Sequence, residues 1–461
     1  MFCRSRPVEE VVVLGAGFSK AIDDEMPTAD ELGVRAVASA GIDDAPKFVG
    51  GRFESWLSRL AEPQPDLSAA ENARNAATFA RVLEHVHAVM TDAQESVQLI
   101  PEWLARLVTA LHFRRSAIVT FNYDTLVERT VESIGLWDFE LGGSLSWQLT
   151  STFPGRVDGR PNENGKVGWH SLIRDTPPLP PPFRSSEELP PSFQLLKLHG
   201  SLNWYWVPGD VSGATLNSWH LLDNSPDRLR RYLPGREPFI VPPAATKSAY
   251  FANPIMREIW RTAGNALRGA ESVHFVGYSL PVTDLLSSSM IADGLSQRIL
   301  RLSLVNRSPA DPQKRLEALT PVSADISRSV ASWAEDLVLD TARRALDQLR
   351  EAAAGATEDA VVAVGRGPDG LRYVRDVSER KDSLVLQLSL DAQPRREEIM
   401  TAGDVVRRGL GAKYLIARRG RKESPIVGLD GFGREFGPGV WYQVLVPADP
   451  PGSESGDTSG E

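Results

Sequence analysis

The most constraining feature of this chain lies near its start, where Val11-Val12-Val13-Leu14 runs directly into Gly15-Ala16-Gly17. Consecutive β-branched residues favour extended backbone, and a run that is apolar on both alternating faces has to be buried on both. Such a strand belongs inside a parallel sheet, and a parallel sheet needs crossover elements covering its faces. The following 300 or so residues read accordingly. Ala117-Ile118-Val119-Thr120-Phe121, Leu195 to Leu198, Ser272 to Val276 and Leu302 to Val305 are further candidates for buried strands. Helix-compatible stretches lie between them, over residues 31–40 and about 68–112. In the second, Phe79, Leu83, Val86 and Met90, then Trp103, Leu107 and Leu111, recur at helical spacing.

This alternation predicts an α/β domain over residues 1–320, with a doubly wound, mostly parallel, Rossmann-like sheet and helical insertions. Residues 142–192 are polar and rich in Pro and Gly. They include Pro177-Pro178-Leu179-Pro180-Pro181-Pro182, which fits neither helix nor central strand. Past Val305 the character changes. Trp333 to Leu349 has the spacing of an amphipathic helix within a connecting segment, 321–354, and 352–359 reads as a linker. Short strand candidates follow at Val361 to Val364, Leu371 to Val374, Leu384 to Leu390, Tyr414 to Ala417 and Val440 to Val446, with one helix from Arg395 to Arg408. They predict a small α+β domain over 355–447, regulatory or partner-binding, and a disordered tail over 448–461. No internal repeat is visible.

Charge and cysteine content narrow the function classes. Sixty acidic against 51 basic side chains give a net charge of −9, unsuited to coating nucleic acid. The local exception is Arg407, Arg408, Lys413, Arg418, Arg419, Arg421 and Lys422, which no acid interrupts. That patch suits a protein or nucleic-acid partner, and equally a solvated helix end. Cys3 is the single cysteine, so an internal disulfide and a four-cysteine zinc site are excluded. His85 and His87 sit two apart on a helix and face different ways, so they cannot share a metal, and no metal is expected. No apolar run reaches the ~18 residues a membrane helix needs. Glu9 and Glu10 interrupt any signal-peptide core after Arg4 and Arg6. A cytoplasmic protein without a membrane partner is expected.

In open α/β sheets, ligands bind outside the carboxyl ends of the strands. Here those ends carry small or polar residues in series. Gly15-Ala16-Gly17, between a strand and a helix, suits a pyrophosphate, because a helix start offers N–H groups and a positive dipole end. The dinucleotide fingerprint has a third glycine where this chain has Lys20, which speaks against an ordinary dehydrogenase and leaves a tight turn as the alternative. Asn122 and Asp124 follow the second strand, where capping of the next helix is the alternative. His199, ahead of Gly200-Ser201, follows the third and is the one histidine of seven so placed. Gly277-Tyr278-Ser279-Leu280-Pro281, with Asp284 just beyond, and then Asn306 follow the last two. A single such end has a structural explanation; five on one rim predict a nucleotide site.

The order of motifs resembles the sirtuin family, and more closely the sirtuin-like NAD-consuming proteins of bacterial anti-phage defence. It runs Gly15-Ala16-Gly17-Phe18-Ser19, Met26-Pro27-Thr28, Thr120-Phe121-Asn122-Tyr123-Asp124, Leu198-His199-Gly200-Ser201, Gly277-Tyr278-Ser279-Leu280 and Val305-Asn306, within residues 8–310. The resemblance implies hydrolysis of NAD to nicotinamide and ADP-ribose, with Asn122 and His199 catalytic. It implies an NAD site lined by Gly15, Ala16, Gly17, Phe18, Ser19, Asp124, Gly277, Ser279 and Asn306, in a homo-oligomeric effector that depletes NAD. Deacylating sirtuins carry a four-cysteine zinc module, which this chain cannot build, and usually Gln where Phe121 stands. Both departures agree with the hydrolytic branch. NAD-dependent protein deacylation and a non-catalytic NAD or ADP-ribose sensor are the alternatives.

Overall fold

The structure, a computed structural model, describes residues 10–341 apart from 44, 50–51, 115, 134–154, 162–166, 172–192, 221–234, 244–247, 282–283, 296–298, 300 and 339. Five strand segments between residues 363 and 445 are described as well. Strand β1 (Glu10–Leu14) leads into helices α1 (Ala16–Ile22) and α2 (Ala29–Ser39). Helices α3 (Arg52–Ala61), α4 (Ala69–Ser96) and α5 (Glu102–Arg114) precede β2 (Ala117–Thr120), and α6 (Leu126–Ser133) follows it. Next come β3 (Gly155–Pro161), β4 (Val167–Ser171), β5 (Gln194–Lys197), β6 (Gly200–Trp206), β7 (Asn217–His220) and β8 (Glu237–Ile240). Helix α7 (Pro254–Gly269), β9 (Ser272–Val276), α8 (Leu285–Leu295), β10 (Arg301–Val305), α9 (Ala310–Glu317) and β11 (Asp325–Ser327) complete this part.

Six of these strands form one sheet in the order β11-β10-β9-β1-β2-β5, and every neighbouring pair is parallel. Counting only these six along the chain, the order is 6-5-4-1-2-3, the two-halved arrangement of a Rossmann-like α/β fold. Strand β1 lies at its centre, and Val11, Val12 and Val13 have no exposed surface. Val11 and Val13 join a core with Met256, Ile259, Ala263 and Leu267 of α7, as a two-sided apolar strand requires. Helices α2 and α4 start at capping boxes, Thr28 with Glu31 and Ser68 with Glu71.

Two features depart from the expected layout. The insertions are not helical alone: β4-β3-β7-β6-β8 form a second, mixed sheet of five strands. Strands β3 and β4 fall in the stretch that reads as polar loop, because Gly155-Arg156-Val157-Asp158-Gly159-Arg160-Pro161 lacks apolar alternation. The parallel sheet also continues past Val305 to the three-residue β11, whose shortness and exposed Asp325 and Ile326 suit an edge. The helix expected from Trp333 is present over residues 330–338, with Trp333, Ala334, Leu337 and Val338 buried; residues 342–349 lie outside the described residues.

Near the C-terminus, β12 (Ala363–Gly367), β13 (Gly370–Arg380), β14 (Ser383–Leu388), β15 (Ile416–Arg419) and β16 (Tyr442–Leu445) pair antiparallel in the order β12-β13-β14-β16-β15. Arg418 and Arg419 lie on β15. The expected helix 395–408, the linker 352–359, the tail 448–461 and the remaining basic residues Arg407, Arg408, Lys413, Arg421 and Lys422 lie outside the described residues. Among the described residues, no helix is long and apolar enough to cross a membrane.

The amino end of the sheet is tied by a buried charge network. Glu10 opens β1 and accepts from Arg114 Nε at 2.8 Å, from Arg114 Nη2 and from Ser116 Oγ at 2.7 Å. Arg114 Nη1 donates to Asp340 Oδ2 at 2.8 Å, which joins the segment after β11 to the sheet. His274, for which the sequence suggests no partner, lies with Nε2 3.5 Å from Glu10 and Nδ1 3.0 Å from Ser303 Oγ. Burial alone raises the Glu10 carboxyl, but His274 and the Arg114 guanidinium outweigh it and hold the group well below the usual carboxylate range. Because the folded value is depressed, this stabilisation is full above the unfolded carboxylate range and is lost as pH falls toward the folded value. Arg114→Ala leaves a buried charge unpaired and is expected to lower stability in urea unfolding by about 3–5 kcal/mol. A loss within about 0.5 kcal/mol, the range of ordinary surface changes, contradicts a clamping role.

Candidate functional site

The strand order reverses between β1 and β9, and the segments leaving these strands touch backbone to backbone. Gly15 N–H donates to Val276 O at 3.1 Å, and Gly17 N–H to Gly277 O at 2.9 Å. A Cβ on Gly15 would lie 2.6 Å from Tyr278 Cα, and one on Gly277 only 2.1 Å from Phe18 N. Gly277 also has φ +63°. These glycines are therefore required first by the approach of the β1–α1 turn to the loop after β9. With their amides engaged inside the fold, Gly15 and Gly17 contribute the shape of the crevice. The loop after β9 carries further strain: Leu280 is buried at φ +50°, and Arg315 Nη1 pins it by donating to Ser279 O at 2.9 Å.

Asn122 reaches this turn from the end of β2. Its Nδ2 donates to Gly15 O and to Ser19 Oγ, each at 2.9 Å, and Ser19 Oγ donates to Asp124 Oδ2 at 2.6 Å. A backbone carbonyl only accepts, so the amide nitrogen must face Gly15. The side-chain oxygen Oδ1 is then the acceptor left over, with no hydrogen bond among the described residues. Asp124 also accepts from Leu126 N–H at 3.2 Å, so it caps the start of α6 while it receives the Ser19 hydroxyl.

His199 sits in the turn between β5 and β6. That turn is held against the residues after β8, where Val241 N–H donates to His199 O at 2.9 Å. The buried imidazole meets the Phe121 ring edge-on at 5.1 Å, and Phe121 stacks on Tyr278 at 4.5 Å. His199 Nε2 lies 3.4 Å from Asp284 Oδ2. Beneath the turn, Lys197 is 1% exposed, and its Nζ donates to Asp124 O at 2.5 Å, Glu128 Oε1 at 2.9 Å and Ser201 Oγ at 2.7 Å. One ammonium thus fixes the segment carrying Asn122 and Asp124 to the strand that delivers His199.

Two phenols complete the surroundings. Burial, reinforced by the Glu54 and Asp284 carboxylates, pushes the hydroxyls of Tyr123 and Tyr278 well above their ordinary range, so both stay protonated. Tyr123 donates to Val241 O at 2.8 Å. Of the other expected site residues, Ala16 is half-buried at the turn, and Phe18 is buried edge-on against Trp103 at 6.0 Å, a packing position. Ser279 is exposed, and its backbone carbonyl accepts from Arg315, while Asn306 closes a local turn by accepting from Ser308 N–H at 3.0 Å. Lys197, Tyr278 and Asp284 contact the expected site residues, and the buried Glu54 carboxylate adds to the field felt by Tyr123 and Tyr278. Asp284 and Lys197 stand beside the motifs, whereas Glu54 on α3 carries no sequence signal. No protein-family model matches the chain, and no curated protein matches it.

The contact between the two segments is testable against a glycine of similar conformation. Gly209 has φ +82°, and a Cβ placed there would meet nothing within 4 Å, whereas Gly277 is crowded. Gly209→Ala is expected to cost about 1–2 kcal/mol in urea unfolding. Gly277→Ala is expected to cost about 1–3 kcal/mol more, because the segments must part. Equal losses contradict the contact.

Proposed function

We propose that this chain is an NAD hydrolase, releasing nicotinamide and ADP-ribose, and an anti-phage defence effector that acts by depleting NAD. The observation that carries the reading is the convergence of Asn122, anchored to Gly15 and Ser19, and the buried His199 at the carboxyl edge of a parallel sheet where its order reverses. The order of motifs supports the assignment to defence.

The chemistry suits these side chains. Cleaving the bond from ribose to nicotinamide leaves a neutral pyridine, so the leaving group needs no acid. The demand is to support an oxocarbenium-like ribose and to deliver water. Asn122 Oδ1, the acceptor left over, orients a ribose hydroxyl or the water. His199 takes the proton that the water gives up as it bonds to the ribose, while the glycosidic electron pair leaves with nicotinamide. Imidazole suits this step because its unperturbed pKa of ~6.5 lies near working pH. Phe121 and Tyr278 give the histidine an apolar wall. An always-active enzyme of this kind would deplete its own cell, so we assign gating to the small C-terminal α+β domain expected over 355–447 and to a homo-oligomer.

The test is incubation of the purified full chain with NAD, following nicotinamide and ADP-ribose by chromatography. Turnover is expected in the wild type, with losses on the order of 10²-fold or more in His199→Ala and in Asn122→Ala. Wild-type turnover in both variants contradicts the mechanism. Binding of NAD without release of nicotinamide by the wild type favours the sensor alternative.

A further inference from the structure

We infer that Asp24 is a specificity-determining residue that admits NAD and rejects NADP, which carries a phosphate on the 2′-hydroxyl of its adenosine ribose; the inference rests on the reading of the crevice as an NAD site. The sheet order decides which half of the ligand is concerned. Asn122 leaves β2 and His199 follows β5, so a nicotinamide ribose held by them lies on the β2 side of β1. With the pyrophosphate beside the Gly15 turn after β1, the adenosine half has to run the other way, over the ends of β9 and β10. Neighbouring strands are about 4.8 Å apart, so the end of β10 lies about 10 Å from that of β1. The adenosine ribose is thereby brought to Asn306 and Arg307, the residues that leave β10.

Two segments meet at that rim. Arg307 Nη2 lies 3.9 Å from Oδ1 of Asp24, in the loop after α1, and both side chains are largely exposed. The backbone of this loop is held in place. Lys20 Nζ donates to Asp24 O at 3.1 Å and to Glu31 Oε2 at 3.0 Å, and Arg35 Nη1 donates to Glu25 O at 2.9 Å. Lys20, which stands where a dinucleotide fingerprint has its third glycine, thus anchors the loop that carries Asp24. Asn306 Oδ1 accepts from Ser308 N–H, and Nδ2 makes no hydrogen bond among the described residues. That amide can donate to a hydroxyl or to a phosphate oxygen alike, so it does not tell the two dinucleotides apart.

Charge does. A ribose hydroxyl can donate to a carboxylate, whereas a phosphate monoester only accepts and carries a charge of about −1.5 to −2 at pH 7. Asp24 repels that charge, and its neighbour Arg307 is the kind of guanidinium a phosphate would take as a partner. The rim therefore holds a repulsive element against the wrong ligand. Replacing the acid with an amide of nearly the same size removes the repulsion and frees Arg307 for the phosphate. The Asp24 carbonyl that Lys20 holds is unaffected, so the fold is retained. Because both groups are exposed, salt screens the discrimination, which separates it from exclusion by shape.

The experiment is calorimetric titration of the full chain carrying His199→Ala with NAD and with NADP, at about 0.05 M and about 0.5 M salt. At low salt, NAD is expected to bind about tenfold or more tightly than NADP, and the ratio is expected to shrink at high salt. Asp24→Asn is expected to bring the low-salt ratio to within about threefold of unity, and adding Arg307→Ala to raise it again by about threefold or more. Equal affinities without the Asp24 substitution, a ratio that Asp24→Asn leaves unchanged, or a ratio indifferent to salt overturns the inference. A ratio that Arg307→Ala leaves unchanged overturns the part given to Arg307. The expected ratios without release of nicotinamide by the wild type count against the hydrolase reading alone. Cleavage of NAD with equal affinities counts against Asp24 alone, and failure of both dinucleotides to bind removes the NAD site on which the two readings rest.

Discussion

The turn after β1 and the loop after β9 lie so close that a side chain on Gly15, Gly17 or Gly277 would collide with backbone across the gap. The candidate site depends on that contact. In a sheet ordered 3-2-1-4-5-6, the connections leaving the two central strands diverge to opposite faces, and a crevice opens where they part. Here Gly15 and Gly17 donate to the carbonyls of Val276 and Gly277 at the floor of that crevice. The same turn presents Gly15 O and Ser19 Oγ to Asn122, so the contact between the two segments also orients this amide.

Several residues at the candidate site also hold the fold. Asp124 caps α6 and receives the Ser19 hydroxyl. Asp284 caps α8 and faces His199. Lys197 satisfies a buried ammonium with acceptors from three segments, and those segments carry Asn122, His199 and the start of α6. Capping a helix and lining the candidate site are therefore compatible for these side chains. Accurate placement comes from giving each a structural hydrogen bond on one side and leaving its chemistry on the other. At the opposite, amino end of the strands, Glu10, Arg114 and Asp340 form a charge cluster that ties the segment after β11 to the sheet. That cluster is fold chemistry, remote from the strand ends that carry the site.

How much of this was legible in the sequence follows from burial. Val11 to Leu14 and Ser272 to Val276 are recognisable because strands covered on both faces are apolar throughout, and both lie where expected. The third strand ends one residue earlier than expected, at Lys197, because Gly200 at φ +79° draws Leu198 and His199 into a turn. The second sheet left little trace. Its strands are four to seven residues long, and the pairing of β3 with β7 joins segments some sixty residues apart. His199 and Asn122 were legible as polar residues at ends of apolar strands. The burial of Glu54 was not, since one carboxylate on an amphipathic helix looks like a surface residue. His274 was not either, since its partners Glu10 and Ser303 come from two other strands.

On the proposed reading, NAD occupies the crevice between the ends of β1 and β9 with its nicotinamide ribose at Asn122 and His199. A crystal structure of His199→Ala protein with NAD at saturating concentration tests this placement. A hydroxyl of that ribose is expected within hydrogen-bond distance, about 2.5–3.2 Å, of Asn122 Oδ1, with the pyrophosphate beside the Gly15 turn. An empty crevice under those conditions, or NAD bound away from Asn122, would contradict it.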